Sequence, residues 1–93
     1  MPELKDILVH NPECVVREIE EGLIIMPPQV TTTHSLNNLS AFIWNQIDGK
    51  RNLETILSAI MDEYNVSDDL ARADLLSFVE ELLTAELVGK VVP

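Results

Sequence analysis

The sequence predicts an α+β domain in which a three-stranded antiparallel sheet precedes three helices. Three observations carry that expectation. Two strand-like apolar runs, Cys14–Ile19 and Leu23–Met26, are separated by Glu20-Glu21-Gly22. From Leu39 onward apolar residues recur at helical spacing in three blocks, and each block is headed by a side chain suited to an N-cap: Asn37 or Asn38, Asn52 and Ser67.

Taken in order, residues 1–13 contain Pro2 and Pro12 around the apolar run Ile7-Leu8-Val9 and hold no sustained period, so they are expected to form an irregular lead-in. Residues 14–93 are expected to form one domain, because a chain of 93 residues has apolar material for a single core. Gly22 can take the positive φ of a tight turn and so joins the first two strands. Pro27-Pro28 ends the second strand, since neither residue donates a ladder hydrogen bond. Thr31 to Leu36 is extended in preference but polar, which suits a strand at a sheet edge. An edge leaves N–H and C=O groups free to pair with another chain.

The first helix carries Leu39, Ile43 and Ile47 at i, i+4, i+8, with Phe42 and Trp44 widening the stripe, and Gly49 is placed to stop it in a left-handed conformation. The second carries Leu53, Ile56, Leu57, Ile60, Met61 and Tyr64 on one face. The third starts at Ser67, with Asp68 and Asp69 at the positive end of its dipole, and turns Ala71, Leu75, Phe78, Val79, Leu82 and Leu83 inward. Leu87 to Lys90 closes the domain.

Sixteen acidic residues against six basic ones give a net charge of −10, and this disfavours nucleic acid and anionic membrane surfaces as partners. A basic or neutral polypeptide is favoured instead. The lone Cys14 has no internal disulfide partner, and no signal-peptide pattern opens the sequence, so a cytoplasmic location is expected. No apolar stretch approaches the roughly 20 residues that span a bilayer.

Catalytic chemistry finds little support in the residues. His10 and Cys14 stand four apart, but Pro12 lies between them and no second pair completes a tetrahedral metal set. Cys14 with His34 across adjacent strands would form a thiol–imidazole pair, yet a single cysteine in an apolar run reads first as a small buried hydrophobe. The neighbouring acid pairs, such as Glu80-Glu81, read as solvated faces, Trp44 as core, and three widely spaced glycines form no phosphate loop. The expectation is therefore a protein that is not an enzyme, with no metal and no cofactor.

The run Leu36-Asn37-x-x-Ser40-Ala41-x-Ile43-Trp44-x-x-Ile47-Asp48-Gly49-Lys50, followed by Leu53-x-x-Ile56-Leu57, Tyr64-x-Val66 and Phe78-Val79-x-x-Leu82, resembles the PqqD-like family. That family includes the peptide chaperone of pyrroloquinoline quinone biosynthesis and the recognition elements for precursors of ribosomally made, modified peptides. The resemblance extends over about residues 14 to 88, and its most specific piece is Ile47-Asp48-Gly49-Lys50. It implies a winged-helix-like fold in which the third strand and third helix border a groove that takes a leader peptide as a further strand. Thr32, Thr33, His34 and Ser35 would then pair with the peptide main chain, and Leu75 and Phe78 would line pockets for its side chains. The implied partners are a short precursor peptide and a modifying enzyme of radical-SAM or ATP-dependent type. The sequence departs from the quinone-pathway pattern at Glu20-Glu21-Gly22 and at Pro27-Pro28-Gln29-Val30, which favours the wider family.

Two other classes share this order of elements. A winged-helix DNA-binding domain would place the third helix in the major groove, where Asp68, Asp69, Asp74, Glu80, Glu81 and Glu86 against Arg72 alone would repel phosphate. A homodimerisation domain would cover its free edge strand with a second copy.

Overall fold

The computed structural model describes residues 2–28 and 33–91. Its elements are β1 (Leu8–His10), β2 (Val15–Ile19), β3 (Gly22–Met26), β4 (His34–Leu36), α1 (Asn38–Gln46), α2 (Leu53–Glu63), α3 (Asp68–Thr84) and β5 (Val88–Lys90). β2, β3 and β4 form the expected antiparallel sheet in that order, α1 packs on β3 and β4, and the three helices share one core with Leu23, Ile25 and Leu36.

The register Ile19↔Gly22 leaves Glu20-Glu21 as a two-residue turn, with Gly22 as the first residue of β3. Gly22 does have positive φ, +146°, but a stronger constraint comes from β4: a Cβ on Gly22 would lie 1.7 Å from the main-chain oxygen of Leu36. Only a residue without a side chain lets the end of β4 approach β3 this closely. β2 lies at the outer edge with all five residues exposed, whereas Leu23 and Ile25 of β3 are buried against the helices.

Each helix starts at an expected cap, and the three side chains of Asn37, Asn52 and Ser67 accept the main-chain N–H of Ser40, Thr55 and Leu70. Between α1 and α2 the side chain of Asp48 accepts the N–H groups of Lys50 and Arg51, both at 2.9 Å, while Gly49 stands at φ +79°. The Ile47-Asp48-Gly49-Lys50 motif is thus a side-chain-closed turn that reverses the chain over two residues. These hydrogen bonds, first Arg51's and then Lys50's, hold the Asp48 carboxyl below its usual range. α3 ends with Leu87 N–H on the Leu82 carbonyl, Glu86 N–H on that of Leu83, and Glu86 itself at φ +61°. A left-handed residue closing the helix is the usual device, but glycine is its usual occupant.

The main correction concerns the two ends of the chain. The lead-in expected to be irregular contains β1, which pairs antiparallel with β5 through Leu8↔Lys90, Val9↔Gly89 and His10↔Val88. Leu8, Leu87 and Val88 are buried in the common core. The carbonyls of Asp6 and Leu4 accept the N–H groups of Leu53 and Glu54, so the lead-in completes the first turn of α2, whose amides have no partner within the helix. Residues 2–13 are therefore part of the packed unit.

Asp6 ties this region together. Its carboxylate accepts the Glu3 N–H at 2.8 Å and lies 3.2 Å from the Lys90 ammonium. The Glu3 hydrogen bond and then the Lys90 charge lower its pKa from the ordinary 3.8, against an opposing push from burial. A depressed carboxylate stabilises the fold above its unfolded pKa, and that contribution is lost as pH falls through the folded value. Asp6→Asn should thus be less stable than the parent at pH 7, with the difference shrinking below about pH 4. Parallel urea titrations across pH 2.5 to about 7 measure it; a difference that stays constant over that range would remove Asp6 from the account.

Candidate functional site

β4 is the edge of its sheet, paired with β3 on one side through Leu23↔Leu36, Ile24↔Ser35 and Ile25↔His34. Its other side faces α3 across a groove. Leu36 is buried and anchors the strand, His34 is half-buried, and Ser35 and Thr33 are exposed. The expected contact at Thr32 lies outside the described residues. The first section of the groove, about 300 Å³, runs between Thr33–Leu36 and the α3 side chains Phe78, Glu81 and Leu82. A second section of about 260 Å³ continues it past Asn37, Leu39, Ser77 and Asp74, and shares Ser40, Phe78 and Glu81 with the first.

At the far end lies a small apolar pit of about 60 Å³, walled by Leu39, Ile43, Ile60, Tyr64, Val66 and Leu75 among others. Tyr64 is held there edge-to-face on Phe42, ring centroids 5.6 Å apart. The pit shares Leu39, Ile43 and Asp74 with the second section, so the three hollows form one channel along α3.

The residues expected to line the groove separate into two kinds. Phe78 is half-buried and stands at the centre of the channel, where it lines both larger sections. Leu75, one turn earlier, has no exposed surface and belongs to the core; it reaches only the pit. Sequence reading missed Ser40, Ser77, Asp74 and Glu81 as lining residues. The signal was available for the last two: Asp74, Phe78 and Glu81 follow the i, i+4, i+7 spacing that brings side chains to one helix face.

The other candidates for chemistry are engaged or set apart. The His10 ring stacks on Trp44 at 3.9 Å with planes 8° apart, and its Nε2 donates to the Trp44 carbonyl at 2.8 Å. Trp44 is buried there and does not line the groove, so its fluorescence reports the β1–α1 packing. Cys14 precedes β2 while His34 is on β4, with β3 between those strands, so they do not sit on adjacent strands as a thiol–imidazole pair requires. Burial and then Glu13 push the Cys14 thiol pKa up, away from thiolate reactivity. Among the described residues no three His, Cys, Asp or Glu side chains converge to hold a metal, and no helix is long and apolar enough to cross a membrane. A further hollow of about 340 Å³, at Lys5, Asp6, Ile7 and Val91, lies by the paired strands β1 and β5.

Comparison with known proteins places the fold. A solved structure of TbiB1 in complex with the TbiA(beta) leader peptide superposes with a TM-score of 0.79 at 24% identity, covering 90% of this chain and 98% of the other. A lasso peptide synthetase B1 complexed with its leader peptide superposes at 0.75 with 20% identity, covering 92% and 98%. Both establish the fold. No curated protein matches the sequence. The family described as Coenzyme PQQ synthesis protein D (PqqD) matches residues 22–88, from the first residue of β3 into β5, and the chain belongs to that family.

Proposed function

We propose that this chain is a non-catalytic recognition protein that holds the leader of a ribosomally made precursor peptide as an added strand on β4 and presents it to a separate modifying enzyme. The observation that carries this reading is the edge of β4, unpaired among the described residues, facing α3 across a groove. Two features make the edge usable: Leu36 anchors the strand from below, and the exposed Thr33 and Ser35 leave its main chain accessible. Main-chain pairing along Thr33 to Ser35 supplies affinity with little dependence on sequence, and the channel beside Phe78 supplies selection. Leu75 supports this wall from beneath. The family and the leader-peptide complexes of the two similar proteins support the same occupant here. The modifying enzyme is of radical-SAM or ATP-dependent type, and the exchange takes place in the cytoplasm.

In an antiparallel pair alternate residues exchange N–H and C=O groups with the neighbouring strand, so about half of the amides from Thr33 to Leu36 face outward. Purification from the native host, with mass spectrometry of co-purifying species, supplies the peptide. Amide exchange on the complex then tests the strand. Slowed exchange at two of the four positions is the expected result, and a bound peptide that leaves all four unprotected would show that it docks elsewhere.

A further inference from the structure

The charge of the channel specifies its occupant more closely, given the strand-addition reading on which this step rests. Glu81 lines both larger sections, and Asp74 lines the second section and the pit. Both side chains are exposed and stand seven residues apart, which is about 10 Å along a helix. Among the described residues no Lys or Arg lines any of the three hollows. Arg72, the one cation of α3, lies 2.9 Å from Asp68, and Arg51, Lys5 and Lys90 have carboxylates of their own at Asp48, Glu3 and Asp6. The channel is therefore a largely polar groove that ends in an apolar pit, with two carboxylates on its rim and no Lys or Arg among the described residues that line it.

We propose that the segment this channel takes is both apolar and cationic: one apolar side chain enters the pit walled by Leu39, Ile43 and Tyr64, and Lys or Arg side chains lie opposite Asp74 and Glu81. The dimensions fit a short motif. From Leu82 to Ala71 the helix rises about 16 Å, which an extended chain crosses in about five residues. A peptide with acidic residues in this stretch is rejected twice, by the rim carboxylates and by the net charge of −10. An acidic protein of this kind gains selectivity and association rate from a basic partner more than it gains raw affinity.

The test uses the whole chain and a phage-displayed library of random peptides of about nine residues, long enough to overrun the channel at both ends. Selection is run on the parent and on an Asp74→Lys, Glu81→Lys double variant, whose two positions are exposed and outside the core. Synthetic versions of the selected peptides are then assayed for amide protection at Thr33 to Leu36. The expected result is that protecting peptides from the parent are enriched in Lys and Arg beside an apolar residue, and that enrichment turns to Asp and Glu on the double variant. Replacing one peptide cation by a neutral residue should weaken binding about two- to fivefold at low salt, the range of a single exposed ion pair. Protecting peptides with no cation enrichment, or with the same preference on both proteins, would overturn the charge proposal and leave strand addition standing. If selected peptides bind and none protects those amides, the strand-addition reading falls and the charge proposal falls with it.

Discussion

Gly22→Ala should destabilise the protein by about 3 kcal/mol or more, the sum of left-handed backbone strain and a steric overlap that nothing nearby can relieve. The overlap is with main chain: the added Cβ would lie 1.7 Å from the Leu36 oxygen and 2.8 Å from its carbonyl carbon, and a backbone group cannot swing aside as a flexible side chain can. Relief requires β4 to move away from β3, which breaks the pairing at Leu23↔Leu36 and lifts the buried Leu36 out of the core. Urea unfolding of the variant measures the loss. The same movement displaces one wall of the groove, so any fraction that remains folded should bind peptide more weakly as well. A variant as stable as the parent would mean that the close approach of β4 to β3 is not required by the fold.

The part of the fold that was legible in the sequence is the part stabilised by neighbours along the chain. β2 and β3 are runs of strand-forming residues around a two-residue turn, and the helices announce themselves by period and by Asn37, Asn52 and Ser67. β1 and β5 gave no such signal. Each has three residues, and each finds its partner some 80 positions away, so the burial of Leu8, Leu87 and Val88 that holds them together has no local trace. Gly22 shows the same division in one residue. Its place beside the turn is visible from Glu20-Glu21, whereas the demand that keeps it glycine comes from Leu36, which only the folded sheet brings near.

The site divides likewise. A polar strand ahead of a helical block suggested an edge, and His34–Leu36 is that edge. Its width, its acidic rim and the connection to the pit depend on how α3 lies against β4 and α1, which no local pattern specifies. Sequence periodicity placed Leu75 and Phe78 on one inward face because they are three residues apart, and on a helix that spacing is a turn of only about 60°. The rotation of α3 about its own axis settles which of them meets the core and which meets the groove.

That difference yields the second large effect. Leu75→Ala should cost about 2 to 5 kcal/mol, because the side chain is fully buried and its removal leaves a cavity among rigid neighbours from α2 and α1. In a domain of this size each kcal/mol moves the melting temperature by roughly 4–8 °C, so the shift should be at least about 8 °C. Phe78→Ala should cost less stability, since the ring is only half-buried, but should weaken peptide binding at least about tenfold, as loss of an aromatic side chain from the centre of an interface does. Measured at a temperature where both variants are folded, the two substitutions therefore separate: Leu75→Ala lowers the melting temperature most and touches affinity only through the pit it helps to wall, whereas Phe78→Ala lowers affinity with the fold nearly kept. If Phe78→Ala lost stability as Leu75→Ala does and bound peptide like the parent, the ring would be core and the groove wall would have to be sought in Leu39 and Ser77. If both variants lost affinity in proportion to stability, the channel would depend on the packing of α3 as a whole, and Leu75 would act on the peptide by holding Phe78 in place.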